Sequence, residues 1–312
     1  MKVLVTGGAG FIGSNIVKKI LARNDSVRIV DNLSTGSLSN LTDCIDDVEF
    51  INGDISNIDL ALSVTKGIDY VLHHAALPSV LRSVEDPIQT NEINVLGTLN
   101  MLISARDNGV KRFVYAGSSS VYGDLDSKYK VESMPTNPKS PYAIQKLAGE
   151  EYCKVFFRLY GLETITFRYF NVFGPNQSFR SEYSAVIPKF VNMFLHDKSP
   201  TIYGDGSNSR DFTFVDNVVS ANLIACDTSN KASFGEVFNI ACGKSISLND
   251  LVYKICNVTG KKISSTYSEG RPADVKSSLA DISKASRILG YKPLVGFDEG
   301  LKTTINWIKS LT

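Results

Sequence analysis

Residues 3–13 of this chain read VLVTGGAGFIG, a β-branched apolar run followed by glycines at positions 7, 10 and 13. An amphipathic run comes next, with apolar residues at 16, 17, 20 and 21. This pattern predicts a strand, a tight turn and a helix. In such a turn the first glycine permits the sharp bend and the second lets the backbone approach a pyrophosphate. The third lets the helix pack against the strand.

Asp31 ends the next apolar run, Val27–Val30, and completes the spacing of a dinucleotide-binding βαβ unit. A carboxylate at this point would accept hydrogen bonds from an adenosine ribose and repel a 2′-phosphate, so it favours NAD over NADP. An ordinary strand-to-helix turn is the alternative interpretation of the glycines. The residues predicted to contact the cofactor in this unit are Gly7, Gly10, Phe11, Ile12, Gly13, Asp31 and Asn32.

The composition is that of an ordinary packed protein with small-molecule partners. Of the 312 residues 43% are hydrophobic, and 33 Lys and Arg nearly balance 32 Asp and Glu, which argues against nucleic-acid or membrane-surface partners. The five cysteines are scattered and do not combine with the three histidines at metal-ligand spacing, so we predict no metal site. Neither a signal peptide nor a membrane span is indicated. We expect a soluble, cytoplasmic protein.

Short apolar strands alternate with helical segments through residue 173, which predicts an α/β fold with a doubly wound parallel sheet of the Rossmann type. We expect an NAD-binding domain over residues 1–173, to which segments near 211–218 and 236–241 return. Residues 174–312 would form a second, smaller α/β lobe that binds substrate. Several strands stop in small or polar residues, which should converge on the ligand crevice.

Tyr142 and Lys146 lie four residues apart in a predicted helix, for which Ser140 is the N-cap and Pro141 the first helical residue. Moving a tyrosine pKa from about 10 to about 7 takes about 4 kcal/mol. An ammonium at about 4 Å supplies about that much at an effective dielectric of 20. The spacing therefore suggests an acid/base tyrosine activated by a lysine, although an exposed tyrosine beside a solvated lysine would show the same spacing.

Taken together, these features resemble the extended short-chain dehydrogenase/reductase family, and the resemblance covers essentially the whole chain. The glycine motif, Gly53-Asp54-Ile55, His74-Ala75-Ala76, Asn94, Ser118 to Gly123, the Tyr142/Lys146 pair and Asn171 to Pro175 occur in the family's order. The resemblance implies that Tyr142 is the acid/base, that Lys146 also holds the nicotinamide ribose, and that Ser118 hydrogen-bonds the reacting hydroxyl. It also implies cofactor contacts from Asp54, Ile55, Ala75, Ala76 and Asn94.

The second lobe is similar to that of the family's nucleotide-sugar branch. The resemblance implies that Arg210 and Arg271 grip a diphosphate, which suits the paired charge-assisted hydrogen bonds of a guanidinium. Asp274 would meet the nucleotide ribose. The residues that would enclose a uracil are Ala185, Val186, Lys189 and Tyr203.

Two features narrow the expected reaction and its substrate within this branch. The family's dehydratases carry an Asp-Glu pair where this chain has Ser119-Ser120, so elimination lacks its proton-transfer groups and 4-epimerisation is favoured. Epimerases restricted to plain hexoses carry a bulky tyrosine where Ser278 stands, so an N-acetyl group at carbon 2 should fit. Pro78 stands at a position of this pocket where the resemblance implies a glycine. The residues that match pocket walls are Ser118, Ser119, Asn171, Ala185 and Ser278.

We therefore expect an NAD-dependent 4-epimerase of UDP-N-acetylglucosamine and UDP-N-acetylgalactosamine that also accepts UDP-glucose and UDP-galactose. Two alternatives stay open: a UDP-glucuronate 4-epimerase or decarboxylase of the same family, and a non-catalytic NAD-binding protein that reports redox state. Members of the family that this chain resembles usually form homodimers, so we expect one here. The apolar positions of the helices around Ile93–Ile103 and Leu147–Phe157 would allow a dimer, although the same positions could be internal core.

Overall fold

The computed structural model describes residues 1–125, 127–179, 184–269 and 277–311. Helices separate most of the strands in the first part of the chain, whereas short 3₁₀ segments, Leu38–Leu41 and Ile45–Asp47, separate the second strand from the third. The elements of this part are β1 (Lys2–Thr6), α1 (Phe11–Leu21), β2 (Ser26–Asp31), β3 (Glu49–Asn52), α2 (Ile58–Val64), β4 (Tyr70–His73), α3 (Val80–Glu85), α4 (Pro87–Asn91), α5 (Thr98–Asp107), β5 (Arg112–Ser118), α6 (Pro141–Tyr160) and β6 (Glu163–Tyr169).

The remaining elements are shorter, and turns separate them. In chain order they are β7 (Val172–Phe173), α7 (Val186–Leu195), β8 (Thr201–Tyr203), β9 (Ser209–Arg210), β10 (Thr213–Phe214), α8 (Val215–Asp227), β11 (Glu236–Ile240), β12 (Ile246–Ser247), α9 (Leu248–Thr259), β13 (Thr266–Ser268), β14 (Ser277–Ser278), α10 (Ser283–Leu289) and α11 (Phe297–Lys309). None of the helices in the described ranges has the length and apolar character needed to cross a membrane.

Seven parallel strands form the main sheet in the order β11-β6-β5-β4-β1-β2-β3. This is a doubly wound Rossmann-type α/β fold, as the sequence predicts. The strand order reverses between β1 and β4, so the carboxyl ends of these two strands border the crevice where such sheets bind ligands. The segment 236–240 lies at one edge of this sheet, whereas 213–214 pairs with β7 beside it.

Both faces of the main sheet are covered, which explains why its strands are apolar at successive positions. Val3 and Val5 pack into one core, while Leu4 between them packs into the other. Because neighbouring side chains of a strand point to opposite faces, one short run can supply both cores. The smaller sheets, β12-β9-β14 and β13-β8, lie beyond the main sheet in the chain's second part.

Candidate active site

The turn between β1 and α1 has positions that only glycine fits. Gly7 has a φ of +69°, and a Cβ on Gly13 would overlap the carbonyl oxygen of Gly7. Gly10 caps α1 without a side chain, and the first N–H groups of a helix, here those of Phe11 and Ile12, have no intrahelical acceptor. The turn therefore presents bare backbone donors at the positive end of a helix, which is what a pyrophosphate requires.

Asp31 lies beside this turn and is held by backbone groups on both sides. Its carboxylate accepts hydrogen bonds from the N–H of Ala9 at 2.9 Å and from the N–H of Leu33 at 2.8 Å. Burial raises the pKa of Asp31, and the two backbone hydrogen bonds lower it in part. An acceptor at the end of β2, combined with the glycine turn, fits the adenosine half of NAD.

Asn32 and Asp54 join the ends of β2 and β3. The side-chain amide of Asn32 donates to Asp54 at 2.8 Å, and the backbone N–H of Ser56 donates to the other oxygen at 2.8 Å. Burial raises the pKa of Asp54, but these hydrogen bonds outweigh it and hold the pKa below its usual range. Ile55 between them is almost fully buried. The predicted adenine-pocket residues are thus adjacent to Asp31 at one sheet edge.

Thr6 joins the carboxyl ends of β1 and β4, between which the strand order of the main sheet reverses. Its hydroxyl accepts hydrogen bonds from the backbone N–H groups of His74 and Ala75, both at 3.1 Å. A Cβ on Gly7 would lie 2.8 Å from the backbone nitrogen of Ala75. The His74-Ala75-Ala76 segment therefore runs directly against the glycine turn.

Asn94 connects the loop after β4 to the helix that carries Tyr142. It lies in a π-helical segment, Glu92–Gly97, between α4 and α5. Its side chain accepts from the N–H of Leu77 at 2.8 Å and donates to Gln145 of α6 at 2.8 Å. Segments of π-helix are frequent at functional sites. Asn94 therefore links Leu77, the residue after Ala76, to the helix that carries Tyr142.

Helix α6 begins as the sequence predicts. The Ser140 hydroxyl accepts a hydrogen bond from the N–H of Ala143 at 3.2 Å, and Pro141 is the first helical residue. Tyr142 and Lys146 follow one turn apart, on the same face of the helix.

The phenol of Tyr142 faces the end of β5. Burial raises the pKa of Tyr142 to about 12, and a hydrogen bond with the Ser118 side chain lowers it in part. Ser118 ends β5 and caps the 3₁₀ helix Ser119–Tyr122, since its hydroxyl accepts from the N–H of Ser120 at 3.2 Å. The structure therefore brings Ser118 and Tyr142 together, with Ser119 next to them.

Lys146 contacts the neighbouring strand β5. Its ammonium donates to the backbone carbonyl of Ala116 at 2.9 Å and lies 5.1 Å from the centre of the Tyr115 ring. Burial lowers the pKa of Lys146 to about 8. Without the cofactor, burial of the phenol dominates and the pKa of Tyr142 lies above its usual value. The lowering of this pKa by Lys146 together with bound NAD stays a prediction.

The predicted diphosphate and sugar residues adjoin one another in the second part of the chain. Arg210 of β9 and Ser278 of β14 are directly paired in register. Asn171, at a φ of +35°, donates to the backbone carbonyl of Asp211 at 3.3 Å. Asn171 and Ser278, both predicted to line the sugar pocket, therefore contact the same short segment, 210–211.

The other predicted substrate residues are spread over two elements. Ala185 is the N-cap of α7, Val186 is its first residue, and Lys189 follows one turn later. Tyr203 ends β8. Arg271 and Asp274 lie outside the residues that the structure describes.

The sequence did not single out a group of buried polar residues behind the serine turn. The hydroxyl of Tyr122 donates to Asn239 at 2.7 Å, and Arg168 forms a two-pronged ion pair with Glu150 at 2.8 and 2.6 Å. All four residues are at most 2% exposed. The sequence shows that these residues are polar, but it does not show that they pair, because the partners are far apart in the chain.

Comparison with known proteins agrees with this geometry. The model of the NAD dependent epimerase/dehydratase family matches residues 3–241. A putative UDP-glucose 4-epimerase of Methanocaldococcus jannaschii is 41% identical over 310 residues, which cover 99% of this chain and 98% of that protein.

Two solved structures are similar over the full length of the chain. One is a UDP-N-acetylglucosamine 4-epimerase from Methanobrevibacter ruminantium M1 in complex with UDP-N-acetylmuramic acid, with 40% identity, a TM-score of 0.95, and coverage of 100% of this chain and 99% of that one. The other is a UDP-glucuronic acid 4-epimerase from Bacillus cereus in complex with UDP-glucuronic acid and NAD, with 32% identity, a TM-score of 0.91 and complete coverage of both chains.

The fold and the glycine turn define an NAD-dependent enzyme with a Tyr/Lys pair at the mouth of a Rossmann crevice. The chain belongs to the NAD-dependent epimerase/dehydratase family, within its UDP-sugar 4-epimerase branch, and its cofactor is NAD.

Proposed function

We propose that the protein interconverts UDP-N-acetylglucosamine and UDP-N-acetylgalactosamine by inverting carbon 4, and that it also accepts UDP-glucose and UDP-galactose. The observation that carries the reaction is the proximity of the Ser118 and Tyr142 side chains, with Lys146 one helical turn after Tyr142. The observation that carries the sugar preference is the small Ser278 paired directly with Arg210.

Tyr142 is the proposed acid/base group. It removes the proton of the sugar's 4-hydroxyl and later returns a proton to the 4-keto intermediate, while Ser118 orients that oxygen by a hydrogen bond. Bound NAD supplies the reversible oxidation at carbon 4 and a positive charge close to the phenol. Such a charge favours the phenolate, whose formation is opposed by burial in the protein alone.

Anchoring by Arg210 lets both faces of the ketose meet the same cofactor. We propose that its guanidinium holds the diphosphate while the sugar turns over about the bonds to it, with help from Arg271. Since the oxidation is reversed within one turnover, no net redox change occurs. The cofactor need not leave between turnovers.

Elimination of water is disfavoured because the two residues after Ser118 carry hydroxyl groups and not carboxylates. Ser119 and Ser120 form the start of the 3₁₀ helix, and neither can serve as the carboxylate acid or base that a dehydratase needs. The intermediate therefore returns to a hexose, which supports epimerisation over dehydration.

Ser278 supports an N-acetylated substrate. A hydroxymethyl group there leaves room beside carbon 2 of a sugar whose diphosphate is held by Arg210. The solved relative at 40% identity is a UDP-N-acetylglucosamine 4-epimerase, which is consistent with this preference. We propose that Ala185, Val186, Lys189 and Tyr203 enclose the uracil.

The test is incubation of the purified protein with UDP-N-acetylglucosamine, UDP-glucose and UDP-glucuronate in separate reactions, followed by resolution of the nucleotide sugars. The proposal predicts UDP-N-acetylgalactosamine as the fastest product. Turnover of UDP-glucuronate alone would favour the glucuronate reaction named for one structural relative, and release of CO₂ would indicate a decarboxylase. Binding of NAD without any product would favour the redox-sensing alternative.

We also propose a homodimer formed through α3, α4 and α6. Large apolar side chains on these helices are exposed in the single chain, among them Leu81, Val84, Ile88, Ile144 and Leu159. Ile88 and Ile144 line one apolar groove of about 610 Å³. A second copy of the same face would bury this surface, since apolar patches that persist on a soluble protein mark interaction sites.

We propose the predicted division into an NAD-binding domain over 1–173 and a nucleotide-sugar lobe over 174–312. The parallel order of the main sheet supports it, and β11 is the strand of the second part that joins this sheet.

A further inference from the structure

Asn239 lies on the edge strand β11, and its side chain is completely buried. Its oxygen accepts the hydroxyl of Tyr122 at 2.7 Å. Its amide nitrogen donates to the backbone carbonyls of Lys130 at 2.9 Å and Asp281 at 3.1 Å. The backbone N–H of Asn239 donates to the carboxylate of Glu132 at 2.8 Å. One residue thus joins three segments of the chain.

Tyr122 connects Asn239 to the catalytic turn. It is the last residue of the 3₁₀ helix that Ser118 caps, and the guanidinium of Arg168 lies 4.6 Å from the centre of its ring. Arg168 is bound in turn by the two oxygens of Glu150, one helical turn after Lys146 on α6. The serine turn and the helix of the acid/base pair are therefore linked through buried contacts.

The side-chain nitrogen of Asn239 connects, through Lys130 and Asp281, to the strand β14 that contains Ser278. The backbone N–H of Lys130 donates to the carbonyl of Leu279 at 2.8 Å, and the N–H of Asp281 donates to the carbonyl of Lys130 at 3.0 Å. Leu279 directly follows Ser278, which is paired with Arg210. A displacement of the backbone at Lys130 or Asp281 would therefore displace the residues predicted to shape the sugar pocket.

We propose that Asn239 is a positioning residue that sets the placement of the Ser118 turn relative to the Ser278 strand. This inference rests on the proposed 4-epimerisation, in which the sugar is held at one end by that strand and reacts at the other beside Tyr142. Only an amide supplies the arrangement, since one oxygen must accept while one nitrogen donates twice. Asn239 is completely buried and would act only through the residues that it binds.

Asn239→Leu removes all of these side-chain hydrogen bonds at similar volume, and Asn239→Asp replaces the donor with an oxygen that faces two carbonyls. A misplacement of about 1 Å at a reacting centre can cost about 10²-fold in rate. We expect kcat for UDP-N-acetylglucosamine to fall by about 10- to 100-fold in either variant, with the bound NAD content unchanged. The rate ratio of N-acetylated to plain substrates should also change, because the Ser278 strand shifts.

Tyr122→Phe is the milder variant, which removes one hydroxyl and should lower kcat in the same direction by a smaller factor. The matched control is Asn217→Leu. Asn217 is also fully buried, accepts from the N–H groups of Leu294 and Val295 at 2.7 and 2.9 Å, and has no contact with the serine turn among the described residues. It should lose stability while its kcat per folded molecule stays within twofold of the wild type.

The proposal is overturned if both Asn239 variants keep kcat within twofold, or if Asn217→Leu lowers kcat as much as they do. Crystal structures of Asn239→Leu and wild type provide a readout that needs no turnover. We expect the 278–281 segment to move relative to 118–122, and superimposable segments would contradict the proposal. A wild-type protein that epimerises no UDP-sugar would refute the proposed function instead.

Discussion

The carboxylate of Asp31 accepts the backbone N–H of Ala9 at 2.9 Å, so the residue that ends β2 also fixes the glycine turn after β1. Asp31→Asn would keep the shape but present an NH₂ group to one of the two backbone N–H donors. We expect the Kd for NAD to rise by about tenfold or more, because hydrogen bonds to a charged acceptor contribute about 1.5–3 kcal/mol each. Discrimination against NADP should fall as well.

Calorimetric titration of the stripped protein with NAD and NADP measures this effect. Asp43→Asn is the control, since Asp43 is an exposed residue whose contact is an ion pair with Lys18. Equal NAD affinity in wild type and Asp31→Asn would show that this carboxylate does not recognise the cofactor.

Ser278→Tyr should place a phenol beside carbon 2 of the sugar. We expect turnover of UDP-N-acetylglucosamine to fall at least 10²-fold, while turnover of UDP-galactose changes by less than threefold, because a plain hydroxyl at carbon 2 leaves room for the ring. Separate kcat/KM measurements on the two substrates check this. An unchanged ratio would remove Ser278 from the specificity pocket.

The fold could be predicted because its signals are local. The turn from Gly7 to Gly13 and the cap at Ser140 each depend on residues within a few positions of one another, and both are confirmed. The contact of Tyr122 with Asn239 spans 117 positions in sequence. Neither residue belongs to a pattern that names its partner, so only the folded chain reveals the pair.

The direction of the Lys146 side chain was equally hidden from the sequence. Helical spacing places Lys146 on the same face as Tyr142, but it does not say which acceptor the ammonium finds. Ala116 supplies a carbonyl from the neighbouring strand, and burial moves the pKa of Tyr142 up and that of Lys146 down. The spacing of Tyr142 and Lys146 predicts that they lie near each other. The effect of desolvation on their pKa values depends on the residues packed around them, which the spacing does not reveal.

Lys146→Met should change how stability depends on pH. Burial lowers the pKa of Lys146 from 10.5 to about 8, so between those values the folded protein binds fewer protons than the unfolded chain. The wild-type free energy of unfolding therefore gains from this group as pH rises from 8 towards 10.5, by on the order of 3 kcal/mol over the full window. The variant lacks this gain.

Urea unfolding of NAD-free protein at pH 7.5 and pH 10 checks the prediction, with the exposed Lys19→Met as control. The stability of Lys146→Met relative to wild type should fall between the two pH values. A relative stability that stays constant would mean that the ammonium is not desolvated in the folded protein.

Ile88→Glu combined with Leu159→Glu should convert the proposed dimer into a monomer. These side chains are 81% and 65% exposed in the single chain, and a charge on each would have to be buried against a second copy. Light scattering coupled to gel filtration gives the mass. Leu294→Glu, at a residue 69% exposed outside these helices, should remain dimeric. A monomeric wild type would contradict the proposal.

Proton transfer at carbon 4 by Tyr142 underlies the whole proposed reaction, and the rate of Tyr142→Phe with UDP-N-acetylglucosamine is its most direct test. Positioned acid/base groups are worth about 10²–10⁴-fold. We expect a fall in kcat of that size in a variant that remains folded and retains its NAD. A variant that keeps more than about a tenth of the wild-type rate would contradict it.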